Sequence, residues 1–334
     1  MNYIGSKYKL LSFLEKNILN TVKDIKSCVF CDLFAGTGIV GRYFKLKTKQ
    51  IISNDIESYS YILNRNYIGN HRPLNNGGLI DELNNLKGIE GFIYKNYCIG
   101  SGSGRQYFSD ENGKKIDAIR QKIQEWKEIN KITDDEYYFL LSSLLESADK
   151  VANTASVYGA FLKQLKKTAQ KTLILEPANF QVNDHDHQVY CQDANELIKK
   201  IKGDILYLDP PYNARQYCAN YHVLETIARY DYPELYGKTG LRDYSQQKSS
   251  FCSRKDVVSV FEDLISKAKF RYIFLSYNNE GLMALDSIGP VMRKYGRYSC
   301  RTKAYRRFKA DQDNNRKIAA TSTIEYLHCL EKDI

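Results

Sequence analysis

Residues 28–57 run, in order, through an apolar stretch, a glycine turn, an amphipathic stretch, a second apolar stretch and an acidic tip. Cys28-Val29-Phe30-Cys31 leads into Asp32-Leu33-Phe34-Ala35-Gly36-Thr37-Gly38, a helical pattern continues to Phe44, and Gln50–Ser53 ends at Asn54-Asp55-Ile56-Glu57. Strand, turn, helix and strand make a βαβ unit, and a crossover of that kind points to a parallel sheet. The glycines let the backbone turn tightly and approach a ligand closely. A nicotinamide-binding turn has this look too, but the third glycine of that pattern is missing. Asp32 heads the turn instead, which suits a cationic ligand better than a pyrophosphate. Asp55 follows roughly 20 residues on, where a carboxylate can accept both ribose hydroxyls of any adenosine cofactor.

The βα rhythm stops near residue 67. Residues 70–116 are rich in Asn and Gly, with 75–78 and Gly100–Gly104 reading as turns or loops. Helical patterns follow at 114–130, 134–149 and 155–170. Strand patterns resume at Gln188–Asp193, Asp204–Leu208 and Arg271–Tyr277, and Ser322–Leu330 reads as a last strand in which Ile324 and Tyr326 alternate incompletely with Glu325 and Leu327. The expected organisation is α/β: a Rossmann-like sheet domain made of 1–66 and 186–334, interrupted by a mainly helical insert at 67–185. Ahead of the first strand, Tyr3-Ile4-Gly5-Ser6-Lys7 runs into an amphipathic helix with Leu10, Leu11, Leu14 and Ile18 on one face.

Charge narrows the partners. With 49 Lys+Arg against 39 Asp+Glu the net charge is +10, which fits a polyanion or simply a basic protein. The 27 tyrosines offer flat rings for stacking, or reflect genome composition. Cys28 and Cys31 have no second pair at zinc spacing and read as buried thiols, which implies a reducing cytosol. His185 and His187 lack further ligands, so a polar loop is favoured and no metal is expected. No signal peptide or bilayer-length apolar stretch appears, so a soluble cytoplasmic protein with no membrane partner is expected.

A third element decides among the cofactors. Residues 204–212 form an apolar run that ends abruptly in Asp209-Pro210-Pro211-Tyr212. Such a turn suits gripping an exocyclic amine. The aspartate offers one acceptor, the first proline's carbonyl a second whose direction the locked φ fixes, and the tyrosine a ring face for a planar base. By itself the motif leaves adenine, cytosine and a stiffened turn all open.

Glycine turn, ribose carboxylate and Asp-Pro-Pro-Tyr, in this order at strand ends of one sheet, resemble the adenine-N6 DNA methyltransferases of the Dam class. The likeness extends to Tyr3–Lys7 and to Phe274–Asn278. Ala148–Asn153 and Asn213–Tyr217 look like the subgroup that accompanies restriction enzymes, the FokI-type methylases among them. The resemblance implies a Rossmann-like methyltransferase fold, S-adenosyl-L-methionine (AdoMet) as cofactor and double-stranded DNA as substrate, with a cognate restriction endonuclease acting on the same site. It implies that Tyr3, Gly5 and Lys7 lie against the methionine part of AdoMet, Lys7 near its carboxylate. Asp32, Phe34, Gly36 and Gly38 would form the floor, with Asp32 near the cofactor's amino group. Asp55 would hold the ribose, Ile56 would pack on the adenine ring, and Asp193 would accept from the adenine amine, unless it is only a helix N-cap. Asp209, Pro210 and Tyr212 would be catalytic, acting on a flipped-out adenine.

Candidate DNA contacts are Arg105 and Tyr107 beside the glycine loop, Arg215 and Tyr217 after the motif, Arg242 in the basic stretch 237–255, and Lys303, Arg306 and Arg307 in the run 301–309. Each basic run reads equally as a solvated loop. His222 reads as a buried histidine. An RNA adenine-N6 methyltransferase, an N4-cytosine methyltransferase and an inactive DNA-binding regulator are the alternatives. Asp at position 209 counts against cytosine, where Ser is more usual.

Overall fold

The computed structural model describes residues 3–74, 77–306 and 322–333. Its described strands are β1 (Val29–Asp32), β2 (Gln50–Asn54), β3 (Gln188–Tyr190), β4 (Lys202–Leu208), β5 (Leu235–Tyr236), β6 (Leu241–Arg242), β7 (Lys269–Asn278), β8 (Gly296–Arg306) and β9 (Ser322–Lys332). Seven of them form one sheet in the order β3-β2-β1-β4-β7-β9-β8. The pairs from β3 to β7 are parallel, and β9 runs antiparallel to both of its neighbours. Phe30, Cys31, Ile51, Ile205, Leu206 and Ile273 are buried at its centre. Parallel strands covered on both faces read as unbroken apolar runs, which is why these strands were visible in the sequence.

The chain divides into two compact units. The sheet unit comprises Gly5–Ile56, Asn183–Tyr217 and Gln247–Ile334, and the helical unit Met1–Ile4, Glu57–Val182 and Cys218–Gln246. The helical unit thus takes in more chain than the expected insert, gaining residues 57–66 and the stretch after Cys218. Glu225 shows why: its carboxylate accepts the Ser58 and Tyr59 N–H groups at 3.2 and 3.0 Å, capping the helix Ser58–Asn64.

In the helical unit, the expected helices appear as Asp110–Glu128 and Asp134–Val151. Ser109 caps the first, and Thr133 with Glu136 forms a capping box on the second. The expected helix at 155–170 is absent, and that stretch is irregular. Apart from a turn in which Ala169 and Gln170 donate to the Lys166 carbonyl, its backbone bonds leave the segment: Tyr158 N–H donates to the Asn220 carbonyl, and Lys166 N–H to the Asn153 side chain. Those partners outcompete a local helix. The thiols of Cys28 and Cys31 are free and buried, as expected. His187 anchors the sheet edge, its Nδ1 accepting the Ile51 N–H at 3.0 Å. Among the described residues no helix is long and apolar enough to cross a membrane.

Candidate active site

Strands β1 and β4 lie side by side, with Asp32 level with Tyr207, yet the chain leaves β1 toward β2 and β4 toward β7. A parallel sheet opens a crevice at such a switch point, beyond the carboxyl ends of its strands. Three aspartates emerge there: Asp32 closes β1, Asp55 follows β2 and Asp209 follows β4.

Asp32 is 1% exposed. Its Oδ2 accepts the Gly41 N–H at 3.0 Å, whereas its Oδ1 is buried with no partner. Burial pushes its carboxyl up to about 7, against the pull of the Gly41 N–H and helped by the nearby Asp209 and Asp55. Gly36 and Gly38 take φ of 52° and 74°, values that only glycine adopts without strain. The turn they make is tied to β2, since Gly36 N–H donates to Asp55 Oδ2 at 2.7 Å. Asn54, which the sequence did not single out, pins the same place by donating to the Leu33 and Gln192 carbonyls. Phe34 is half-buried, edge-on to Phe251 at 5.0 Å, and Ile56 is half-buried as well. Asp193 caps the helix Ala194–Leu197, its Oδ1 accepting from the Asn195 and Glu196 N–H groups.

Asp209 keeps about 18% of its side chain exposed. Lys7, expected beside the cofactor's carboxylate, is buried and committed to two protein carboxylates instead: its Nζ lies 3.1 Å from Asp209 Oδ1 and 3.0 Å from Glu325 Oε1. Burial alone would lower the ammonium's pKa, but these two carboxylates overcome it and hold Lys7 well above its ordinary range. Burial pushes the Asp209 carboxyl up to about 6, with Lys7 opposing and Glu325 assisting. Glu325 was missed because its pattern reads as an ordinary strand. The signal was there in the alternation, since Glu325 shares the buried face with Leu327 and Cys329.

The Pro210 carbonyl accepts no hydrogen bond from the described residues. Tyr212 is half-buried, and its own carbonyl is fixed by the Leu282 N–H at 2.9 Å. Gly5, at φ 80°, passes close by: a Cβ there would lie 3.1 Å from the Tyr217 hydroxyl and 3.8 Å from the Tyr212 ring. Arg215 is exposed in the loop that follows. Together, a carboxylate and an unspent carbonyl on one rigid turn can accept both hydrogens of an amine, with a ring alongside.

Most of the other residues singled out in the sequence have partners within the protein. Tyr3 belongs to the helical unit, where its ring stacks on Tyr221 at 4.7 Å. Arg105 donates to the carbonyls of Asn96, Gly237 and Lys238, so it clamps a loop of its own unit. Tyr107 is fully buried, its hydroxyl donating to the Tyr158 carbonyl at 2.6 Å, and offers no stacking face. Arg242 is buried in a two-pronged ion pair with Asp231 at 2.9 and 2.6 Å and has no fork left for phosphate. Lys303 lies on β8 with its ammonium 5.7 Å from the Phe13 ring centre. Arg306 ends β8, and Arg307 lies outside the described residues. His222 is buried, its Nε2 2.9 Å from the Tyr158 carbonyl.

Comparison with known proteins agrees with this geometry. Residues 3–288 match the family described as D12 class N6 adenine-specific DNA methyltransferase. The chain is 62% identical over 334 residues to the type II methyltransferase M.NlaIII of Neisseria lactamica, covering 99% of each. It is 42% identical over 348 residues to the type II methyltransferase M.FokI of Planomicrobium okeanokoites, where all of this chain spans 53% of that protein. With the type II methyltransferase M.CviAII of Paramecium bursaria Chlorella virus 1 it shares 37% identity over 318 residues and 93% of both lengths. Matched over residues 3–288 by that family and over nearly its whole length by these relatives, a chain that carries Asp209-Pro210-Pro211-Tyr212 after β4 of a parallel sheet is a member of the D12 class of N6 adenine-specific DNA methyltransferases.

Proposed function

We propose that this enzyme moves the methyl group of AdoMet directly onto the N6 amine of a flipped-out adenine within a specific duplex DNA sequence. In the cell it would be the modification component of a restriction–modification system, marking sites that a cognate endonuclease would otherwise cut. The names of its relatives, type II methyltransferases and modification methylases, support that setting. The observation that carries the chemistry is the pairing of the Asp209 carboxylate with the unspent Pro210 carbonyl on one turn.

The residues at the switch point fit the cofactor. The orphaned Oδ1 of Asp32 is a buried acceptor suited to a cationic amino group. Gly36 and Gly38 keep the floor free of side chains, Asp55 suits ribose hydroxyls, and Phe34 and Ile56 give apolar walls. Asp193 is the candidate acceptor for the adenine amine, alongside its cap role. AdoMet, when bound, supplies a sulfonium-activated methyl group.

The nitrogen of an exocyclic amine is a poor nucleophile because its lone pair is delocalised into the ring. Accepting its two hydrogens at Asp209 and Pro210 draws the nitrogen toward a tetrahedral shape and frees that lone pair. That lone pair then forms the new N–C bond as the methyl's bond to sulfur breaks toward sulfur, and the surplus N–H proton leaves by way of the Asp209 carboxylate to water. No covalent enzyme intermediate is needed, and fixed acceptors with correct positioning supply the rate. Tyr212 gives the extruded base a face to stack on. Asp209 must be ionised to accept, so the rate is lost as pH falls through its value of about 6.

Asp209→Ala tests this. The single-turnover rate on duplex DNA is expected to fall about 10²–10⁴-fold, with AdoMet binding largely kept. Near-normal methylation by that variant overturns the assignment.

A further inference from the structure

Glu325 is a buried carboxylate that the transfer chemistry above does not use. It stands on β9 opposite Asn278 of β7 and is fully buried. The Ser276 hydroxyl donates to its Oε1 at 2.5 Å, and the same oxygen lies 3.0 Å from Lys7 Nζ. Lys7 in turn reaches Asp209 Oδ1 at 3.1 Å. One ammonium therefore serves two carboxylates in a place where charge is costly to bury. Leu327 and Cys329, its neighbours on that face, show that β9 can be covered with apolar groups. A bare ion pair between Lys7 and Asp209 would have needed no second acid.

We infer that Glu325 is a positioning residue for Asp209. It holds the Lys7 ammonium behind the carboxylate and takes part of its charge, so that Asp209 stays oriented and keeps its strength as an acceptor for the amine. The inference rests on the reading of Asp209 proposed above. With Glu325 neutral, Lys7 would turn its whole charge on Asp209, tighten that pair and weaken the grip on the substrate. The charged and titratable groups facing Asp209 are Lys7 from the N-terminal segment, Glu325 from β9, Tyr207 from β4, Asp32 from β1 and Tyr212 from its own turn. Of these, Lys7 and Glu325 act on it with opposite sign.

The opposition gives the test: single-turnover methylation of a duplex substrate followed from about pH 5 to 9, with AdoMet binding and thermal melting measured beside it. For Glu325→Gln the plateau rate is expected to fall about tenfold with AdoMet affinity unchanged, and the midpoint of the acid limb to move down by about one pH unit. For Lys7→Gln the midpoint is expected to move up. Glu325→Asp keeps the charge but withdraws it by one methylene, so its midpoint should stay and its plateau should drop. A Glu325→Gln enzyme with wild-type plateau and midpoint, or midpoints that move the same way in the Gln variants, overturns the inference. If Glu325→Gln does not fold, a Glu325→Asp enzyme unchanged in rate overturns it equally. Activity surviving in Asp209→Ala would instead strike the reading beneath, leaving the two failures distinguishable.

Discussion

A buried carboxylate oxygen with no partner costs folding free energy unless something comes to meet it, and Asp32 Oδ1 is such an atom. Asp32→Asn is therefore expected to weaken AdoMet binding by about tenfold or more, equivalent to about 1.4 kcal/mol, as calorimetric titration would show. The free variant should melt no lower than the wild type above pH 7, because the folded wild type bears a charge there that burial disfavours. That difference should shrink as pH falls through about 7, where the folded protein takes up the proton. A melting point well below wild type at pH 8 would refute this account. The strand-end positions of Asp32, Asp55, Asp209 and Pro210 were legible from sequence, because the apolar runs ahead of them reveal where strands stop. The internal partners of Arg105, Tyr107 and Arg242 were not legible, because arginines and tyrosines have the same letters whether they meet nucleic acid or their own fold. What distinguishes them is a partner such as the Gly237 carbonyl, far along the chain from Arg105.

Among elements, the strands β1, β2, β4 and β7 and the two long helices could be drawn from their residue patterns. The irregular stretch at 155–170 could not, since key hydrogen bonds of it reach outside the segment, to Asn153 and Asn220, and nor could β8, whose basic run resembles a solvated loop. The β5–β6 hairpin shows how such errors can be tested. Arg242, on β6, pairs with Asp231, which lies ahead of β5 and is one-third exposed. Arg242→Ala is expected to cost about 1–2 kcal/mol of stability, seen in denaturant titration, by leaving Asp231 with Arg229 as its one remaining ion-pair partner and opening a gap. The salt dependence of DNA affinity should not change, because no phosphate contact is lost. A shallower slope of log affinity against log salt would return Arg242 to the DNA surface.

For the whole molecule, stability has opposing proton linkages. Burial pushes His222, in the helical unit, and His328, in the sheet unit, down to about 4. Unfolding frees them to bind protons below about 6.5, so their contribution is lost as pH falls from there toward 4. Asp32 and Asp209 have raised values, of about 7 and 6, and act in the other direction over the same range. With each linkage worth about 1–3 kcal/mol across that window, melting temperature by calorimetry should stay nearly level from about pH 7 to 5. A steep fall in that window would show the histidines unopposed. The topology also bears on how the enzyme comes into being. β9 follows β8 in the chain yet lies between β7 and β8, and it brings Glu325 to a lysine from the opposite end of the sequence. On the ribosome, Lys7 and Asp209 are made long before the strand that completes their setting. A nascent chain halted before β9 would leave β7 and β8 with unpaired edges and the Lys7–Asp209 pair without its second acid. The genome would meet a competent methylase only after translation had passed that strand.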